Sequence, residues 1–368
     1  MACLVACGSL RPAFGQMDNR AFEERYRVPD SLRYGIVAHS FSFFRNLEYF
    51  TPVTDGKTMF GQQLAVRGML HPTERLTVSG GLYLWKDFGN PVLQQVRPLV
   101  TLRYQQGRFA FLFGTLEGQL AHRQIEPLQD FEATVTRRQE EGFQLKYEGP
   151  KLWADVWLEW QNMLYRFAND QERFQVGMNI RPVLAEGRAG RLLGIWQYRA
   201  WHAGGTLDTT PGRPGATTIM ALSPGLRLED IRWGRSRLMV DGYAILTTGA
   251  TAYYPEALKR GQGLFLNAQW ATPWFALMAS YWQGRGFYVP GGGPYYSSLA
   301  SEVSAGLRQL VFNNRQLLIL RLMRDFDLGD GCKLTLRAEP TWDLGRAHFD
   351  YNYQLYLNYQ PGWFWGKR

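Results

Sequence analysis

Cysteine is scarce in this 368-residue chain, with three in all. Cys3 and Cys7 fall near the start and Cys332 stands alone, so no disulfide framework and no cysteine metal spacing can be drawn. Histidine is almost as rare: five positions are dispersed, with no pair at metal-ligand spacing. No metal or other cofactor is expected. Long hydrophobic runs are missing too. No run approaches the roughly 18 apolar residues of a transmembrane helix, which excludes a helical membrane protein. Strands that cross a bilayer stay open, because their signal per segment is weak. Acidic residues are outnumbered, 32 against 41 Lys and Arg, giving a net charge of +9. The basic side chains are spread along the chain and form no tail, which argues against a nucleic-acid partner. They suit anionic solutes or lipid head groups.

Aromatic residues are plentiful, at 15 %, with 13 Trp and 19 Tyr. Amphipathic rings in such number suit the two interfaces of a membrane. The pattern that organises the rest runs over residues 333–343, K-L-T-L-R-A-E-P-T-W-D. Lys333, Thr335, Arg337, Glu339, Thr341 and Asp343 alternate with Leu334, Leu336, Ala338, Pro340 and Trp342. Successive strand side chains point to opposite faces, so this is a strand with one charged and one apolar face. Residues 348–360 repeat the pattern. Each run, at about 10 residues, is long enough to cross a bilayer as a tilted strand. A soluble sandwich also alternates, and that alternative stands until the loops are considered.

From Arg33 onward the chain reads as about 17 strand segments, which an even-stranded barrel rounds to 16 or 18. Short turns at 71–74, 106–107, 149–150, 272–273 and 313–314 alternate with long connections at 121–141, 162–173, 202–217, 249–262 and 283–301. Sorting all long loops to one rim is the layout of a membrane barrel and has no reason in a sandwich. The expected fold is therefore all-β: a transmembrane antiparallel β-barrel of 16–18 strands with short periplasmic turns and long extracellular loops. Residues 1–16 read as the remnant of a signal peptide, 17–32 as a periplasmic linker and 33–368 as one barrel. A lipoprotein box ending at Cys7 is the lesser alternative.

In a membrane barrel the polar face lines the lumen. That face carries Arg67, Arg75, Arg97, Arg103, Arg181, Arg199, Arg321, Lys333 and Arg337 as candidate pore-lining residues. The same positions could be cross-strand ion ladders holding the wall. Trp153, Asp155, Trp157 and Glu159 share the inner face of one strand. Aromatic rings beside carboxylates suit a sugar ring; wall packing is the plainer reading, and a glycosidase pair is weakly indicated by two carboxylates on one strand. The 119–132 connection, with His122, Arg123, Glu126 and Asp130, is the segment to examine as a constriction plug.

These features resemble the porin-like outer-membrane barrels of Gram-negative bacteria over residues 33–359. The arginine-rich inner face is also similar to that of alginate-export barrels. The resemblance implies the outer membrane as location, with membrane lipids, the assembly machinery and small anionic or saccharide solutes as partners. The basic end of W-F-W-G-K-R departs from the usual assembly signal. The expectation is a non-enzymatic channel passing anionic or sugar-like solutes. A scaffold or adhesion barrel that conducts nothing is one alternative. A barrel-embedded hydrolase such as a lipase or deacylase is another; the scattered histidines give no sign of the Ser-His-acid set it would need. Substrate identity, direction and oligomeric state are not legible.

Overall fold

Strict alternation has a physical consequence that decides the architecture: one face of every strand must leave water, and the other must keep its polar partners. The computed structural model describes residues 19, 22–23, 32–165, 171–204, 215–250, 258–300 and 310–367. Its strands are Leu32–Glu48 (β1), Lys57–Leu70 (β2), Leu76–Asp87 (β3), Gln95–Gln106 (β4), Phe109–Thr115 (β5), Glu141–Glu148 (β6), Leu152–Asn162 (β7), Arg173–Gly187 (β8) and Gly190–Ala203 (β9). There follow Thr217–Trp233 (β10), Ser236–Ala250 (β11), Arg260–Ala271 (β12), Ala276–Arg285 (β13), Asn314–Gly329 (β14), Cys332–Asp343 (β15), His348–Tyr359 (β16) and Gly362–Lys367 (β17). Each pairs antiparallel with its sequence neighbour, except that β16 and β17 both close on β1.

β16 and β17 are two halves of one stave. β16 pairs with residues 40–48 of β1 and β17 with residues 32–37. Pro361 lies between them; it has no amide hydrogen to donate, and its carbonyl accepts from the Ala38 N–H at 3.0 Å. The barrel is thus closed, with 16 staves. Among the segments expected from sequence, 302–311 is the surplus one. β13 pairs directly with β14 at ten positions, so no strand stands between them; residues 301–309 lie outside the described ones, as do residues 1–16, expected as a signal remnant. The correction moves Asn313 and Asn314 from a short turn to the long-loop rim. The tight turn is instead at Asp330 and Gly331, both with positive φ, 50° and 78°.

The faces follow the alternation. Gln63, Ala65 and Arg67 are buried inside while Val66 and Leu70 are exposed outside; on β4, Val96, Val100 and Leu102 point out. A soluble sandwich would place these faces the other way, so the exposed apolar belt excludes it. Leu336, 40 % exposed and five residues into the 12-residue β15, lies near mid-wall. Leu336→Arg is expected to destabilise the folded barrel by about 2–4 kcal/mol in urea titrations in vesicles, and Leu336→Ala by much less. Equal shifts for both would contradict the outward assignment. Thr335, on the other face, is fully buried and donates to Asp325 at 2.6 Å, so an arginine there meets packed side chains instead of water.

Two aromatic girdles bound the belt. Tyr34 against Trp365 and Trp233 against Trp270 mark the short-turn rim. Phe60 against Phe88, Trp342 against Phe349 and Trp160 against Phe174 mark the long-loop rim. Rings with a polar edge favour head-group level, so the girdles locate both membrane surfaces.

A 16-stave barrel is wide enough for an aqueous channel, yet this lumen is crossed by loops. Residues 116–140 turn inward, with a 3-10 turn at Gln119–His122 and a short helix, Ala133–Thr136 (α1). Residues 286–300 also turn inward and bury Phe287, Tyr295 and Tyr296. Asp130 N–H donates to the Gly291 carbonyl at 2.9 Å, and Tyr296 Oη donates to Glu126 at 2.6 Å, so the two loops hold each other. Phe22, in the segment expected as an exposed linker, is buried among Phe41, Phe131 and Tyr356.

Candidate active site on the outer wall

The lumenal basic residues are mostly engaged. Arg103, Arg181, Arg199, Arg321 and Arg337 all bond to the 116–140 loop, through Glu117, the Arg123 carbonyl, Gln124 and Glu126 respectively, the last serving both Arg321 and Arg337. Arg67 is buried and Arg97 half-buried on the same face. Arg67 and Arg103 border a cavity of about 100 Å³, together with Arg138 and Glu117. Lys333 sits at the short-turn rim, 3.8 Å from Asp325. Arg75 departs from the expectation: it is exposed in the turn before β3 and lines no part of the lumen, because the strand begins one residue later.

The expected sugar-binding run is covered by the same loop. Trp157 stacks on His122 with ring centroids 3.6 Å apart, and Arg123 lies over Trp153 at 4.6 Å. Asp155 accepts from His122 Nδ1 at 2.7 Å, and Glu140 accepts from Nε2 at 2.7 Å. Glu159 accepts from Gln161 at 3.0 Å and from Gln175. The ring faces a sugar would need are therefore occupied by the chain's own groups. His122 is the strut of this packing. Burial, the largest influence, opposes its charge; Glu140 and Asp155 outweigh it and raise the pKa from the ordinary histidine value to about 9. A raised folded-state pKa gives stability that is complete below the unfolded value and lost as pH rises through about 9. Protease attack at residues 116–140 is accordingly expected to be absent at neutral pH and to begin above pH about 9. Cleavage at neutral pH would contradict the inward packing. The sequence placed 121–141 and 283–301 on the cell surface; the structure corrects this, since the burial of His122, Tyr295 and Tyr296 draws both loops into the lumen.

With both nitrogens held by carboxylates and no hydroxyl among its partners, His122 cannot serve as a general base. His39 is buried in the lumen beside Arg138 and Asn358. Among the described residues, His71 and His202 each face a hydroxyl. His71 meets Thr77 at 2.9 Å at the short-turn rim, where Thr77 shares the lumenal parity of Ser79. His202 meets Thr218 at 2.8 Å at the long-loop rim.

The second pair differs in where it faces. Arg199 and Gln197 of β9 are buried inside, so His202 lies on the outward parity with the exposed Trp196. Ile219 and Ala221 of β10 are buried inside, so Thr218 lies outward with Leu222. The two residues are direct cross-strand partners. Both are half-buried, in the girdle beside Phe174, whose ring is 4.9 Å from His202. His202 Nε2 is 3.1 Å from the Gly204 carbonyl, which can only accept. Nε2 must then carry the hydrogen, and in the neutral ring Nδ1 presents its lone pair to the Thr218 hydroxyl. A hydroxyl, a base and a group that fixes the base's tautomer are the parts of an activated nucleophile. Gly204 is required for this turn: its φ is +113°, and a Cβ there would lie 2.7 Å from the Ala216 Cα.

The model of the lipid A 3'-O-deacylase-type family matches residues 30–368. The chain belongs to this family. Its fold is shared with outer-membrane porins. The loop L8 deletion mutant of OmpT, an outer membrane protein of Vibrio cholerae, is 10 % identical, with 89 % of this chain and 98 % of that one covered and a TM-score of 0.52. OccK8 (OprE) of Pseudomonas aeruginosa gives 10 %, 89 %, 98 % and 0.51. No curated protein matches the sequence. The closed barrel resembles outer-membrane porins and belongs in the bacterial outer membrane. The family is one of enzymes, and this overturns the expectation of a non-enzymatic barrel. No Ser-His-acid set is legible along the chain, and residues 202–217 read as a loop. The His202–Thr218 pair arises instead between neighbouring strands, with a threonine and a backbone carbonyl in the other two places. Continuing the alternation of β9 by one residue past Trp201 was the available signal.

Proposed function

We propose that this barrel hydrolyses an acyl ester of an outer-leaflet glycolipid, of the lipid A kind that the family name describes, at His202 and Thr218. The observation that carries the reading is the His202–Thr218 contact, outward-facing and at head-group level on the long-loop rim. An acyl chain linked near a sugar lies at that depth, so its ester carbonyl can approach Thr218 from the membrane without entering the lumen. His202 Nδ1 takes the hydroxyl proton as Thr218 Oγ1 bonds to the acyl carbon. The ester C–O bond breaks, and the proton passes to the leaving sugar oxygen. Water, deprotonated by the same nitrogen, then cleaves the acyl-threonine and returns the hydroxyl. The Gly204 carbonyl accepts from Nε2–H in both the neutral ring and the imidazolium, so Nδ1 is the nitrogen that takes and returns the proton.

The test is incubation of the purified barrel with lipid A in detergent micelles, followed by mass spectrometry of lipid and released fatty acid. Loss of one ester-linked chain from the 3' position supports the reading; intact lipid A after prolonged incubation contradicts it. A second reading is passage of small anionic or saccharide solutes. It draws support from Arg67, Arg103 and Arg138 around the lumenal cavity, and it is opposed by the loops packed across the lumen. Stable anion-selective conductance in a planar bilayer would favour it.

A further inference from the structure

The outer wall carries a second feature at the same rim, three to four staves from His202. Arg260 opens β12 and Arg285 ends β13; both point outward and are exposed. Gln262 lies directly opposite Arg285 across the two strands, and Gln283 lies opposite Leu264. Arg260, Gln262 and Arg285 border a groove of about 600 Å³, which adjoins a hollow of about 660 Å³ lined by Leu246, Leu264, Gln283 and Arg285. Among the described residues no carboxylate lines it. Below the groove, Leu264 and Leu266 of β12 belong to the exposed apolar belt.

This arrangement is not required by the wall. An arginine on the lipid-facing side is unfavourable at mid-depth and tolerable only near the interface. The lumenal arginines Arg315 and Arg321 have carboxylate partners, Asp343 and Glu126; among the described residues Arg260 and Arg285 have no ion-pair partner. Two cations over an apolar floor, at head-group level, match an amphiphile with an anionic group above its acyl chains. We propose that the Arg260–Arg285 groove binds the phosphate-bearing head group of a membrane lipid. The proposal deepens the hydrolase reading and rests on it for the substrate: a lipid phosphate held here would orient a neighbouring ester toward Thr218, two staves from Arg260. With staves about 4.8 Å apart, that separation is about 10 Å across the wall, within the span of a phosphorylated disaccharide.

The test uses the full-length barrel in non-ionic detergent, presented with phosphatidic acid or with phosphatidylcholine of the same chains, and native mass spectrometry to count retained lipid. The wild type is expected to prefer phosphatidic acid by about thirtyfold at low salt, with the preference shrinking as salt is added. Arg260→Gln with Arg285→Gln should remove the preference and leave phosphatidylcholine retention unchanged; Arg260→Lys with Arg285→Lys should restore most of it. An unchanged preference in the Gln double variant overturns the proposal. Displacement of the lipid by excess inorganic phosphate also overturns it, by making the ligand a free anion. Thr218→Val should keep the preference. A barrel that binds phosphatidic acid through Arg260 and Arg285 yet never hydrolyses an ester would sink the hydrolase reading and leave the groove standing.

Discussion

Thr218→Val is expected to lower ester hydrolysis by about 10²–10⁴-fold while the barrel folds normally. Valine keeps the branched shape and removes only the hydroxyl that His202 faces at 2.8 Å. The position is half-buried on the outer wall, where valine is at home in a strand, so folding should not suffer. His202→Gln should cost a similar factor, and the double variant little more, because a nucleophile and its base act as one unit. Fatty-acid release at fixed protein, with heat-modifiable gel migration as the folding control, checks this. Activity near the wild-type level in Thr218→Val would place the chemistry elsewhere.

Glu126→Gln is expected to unseat the lumenal plug and raise single-channel conductance in planar bilayers from near zero to that of an open barrel. Glu126 receives Arg321, Arg337 and the Tyr296 hydroxyl, and its own backbone carbonyl accepts from Gly293. It shares the two buried guanidinium groups with Glu339 of β15 and is the point where both inward loops meet. Removing one partner of a buried charge network costs at most about 3–5 kcal/mol; here Glu339 still faces both guanidinium groups, so the loss falls on the bonds that tie the loop to the wall. Loop seating is the part of the fold with least regular structure, so it should yield before the staves do. Glu126→Asp should behave between the two. A Glu126→Gln barrel as closed as the wild type would show that the loops are held by packing around Phe131, Tyr295 and Tyr296 alone.

The staves were legible because a period of two is local: residues 333–343 state their own faces, and β15 spans Cys332–Asp343. The surplus segment at 302–311 shows the limit. Its apolar residues alternate like a stave, but a strand is defined by its partners, and β13 already has β14. Loop direction was legible only in part. His122, Arg123, Glu126 and Asp130 single out residues 119–132 as a segment to examine for a plug, and the structure gives two of them lumenal partners, Asp155 for His122 and Arg321 for Glu126. Nothing local marks Tyr295 and Tyr296 as inward; their hydroxyls find Asp350 and Glu126 across the barrel. The candidate site was hidden for the same reason. His202 and Thr218 are 16 residues apart, and only the β9–β10 register brings them together. Alternation marks an arginine-rich face, but charge on a wall does not say whether water or a loop meets it.

The most direct measurement is peptide mass spectrometry of the barrel quenched in acid during steady-state turnover of lipid A. Nucleophilic attack by the outward threonine predicts an acyl group esterified to Thr218, present in the wild type and missing in His202→Gln. An acyl group on any other residue, or brisk turnover with Thr218 never acylated, would contradict an active site on the lipid-facing wall.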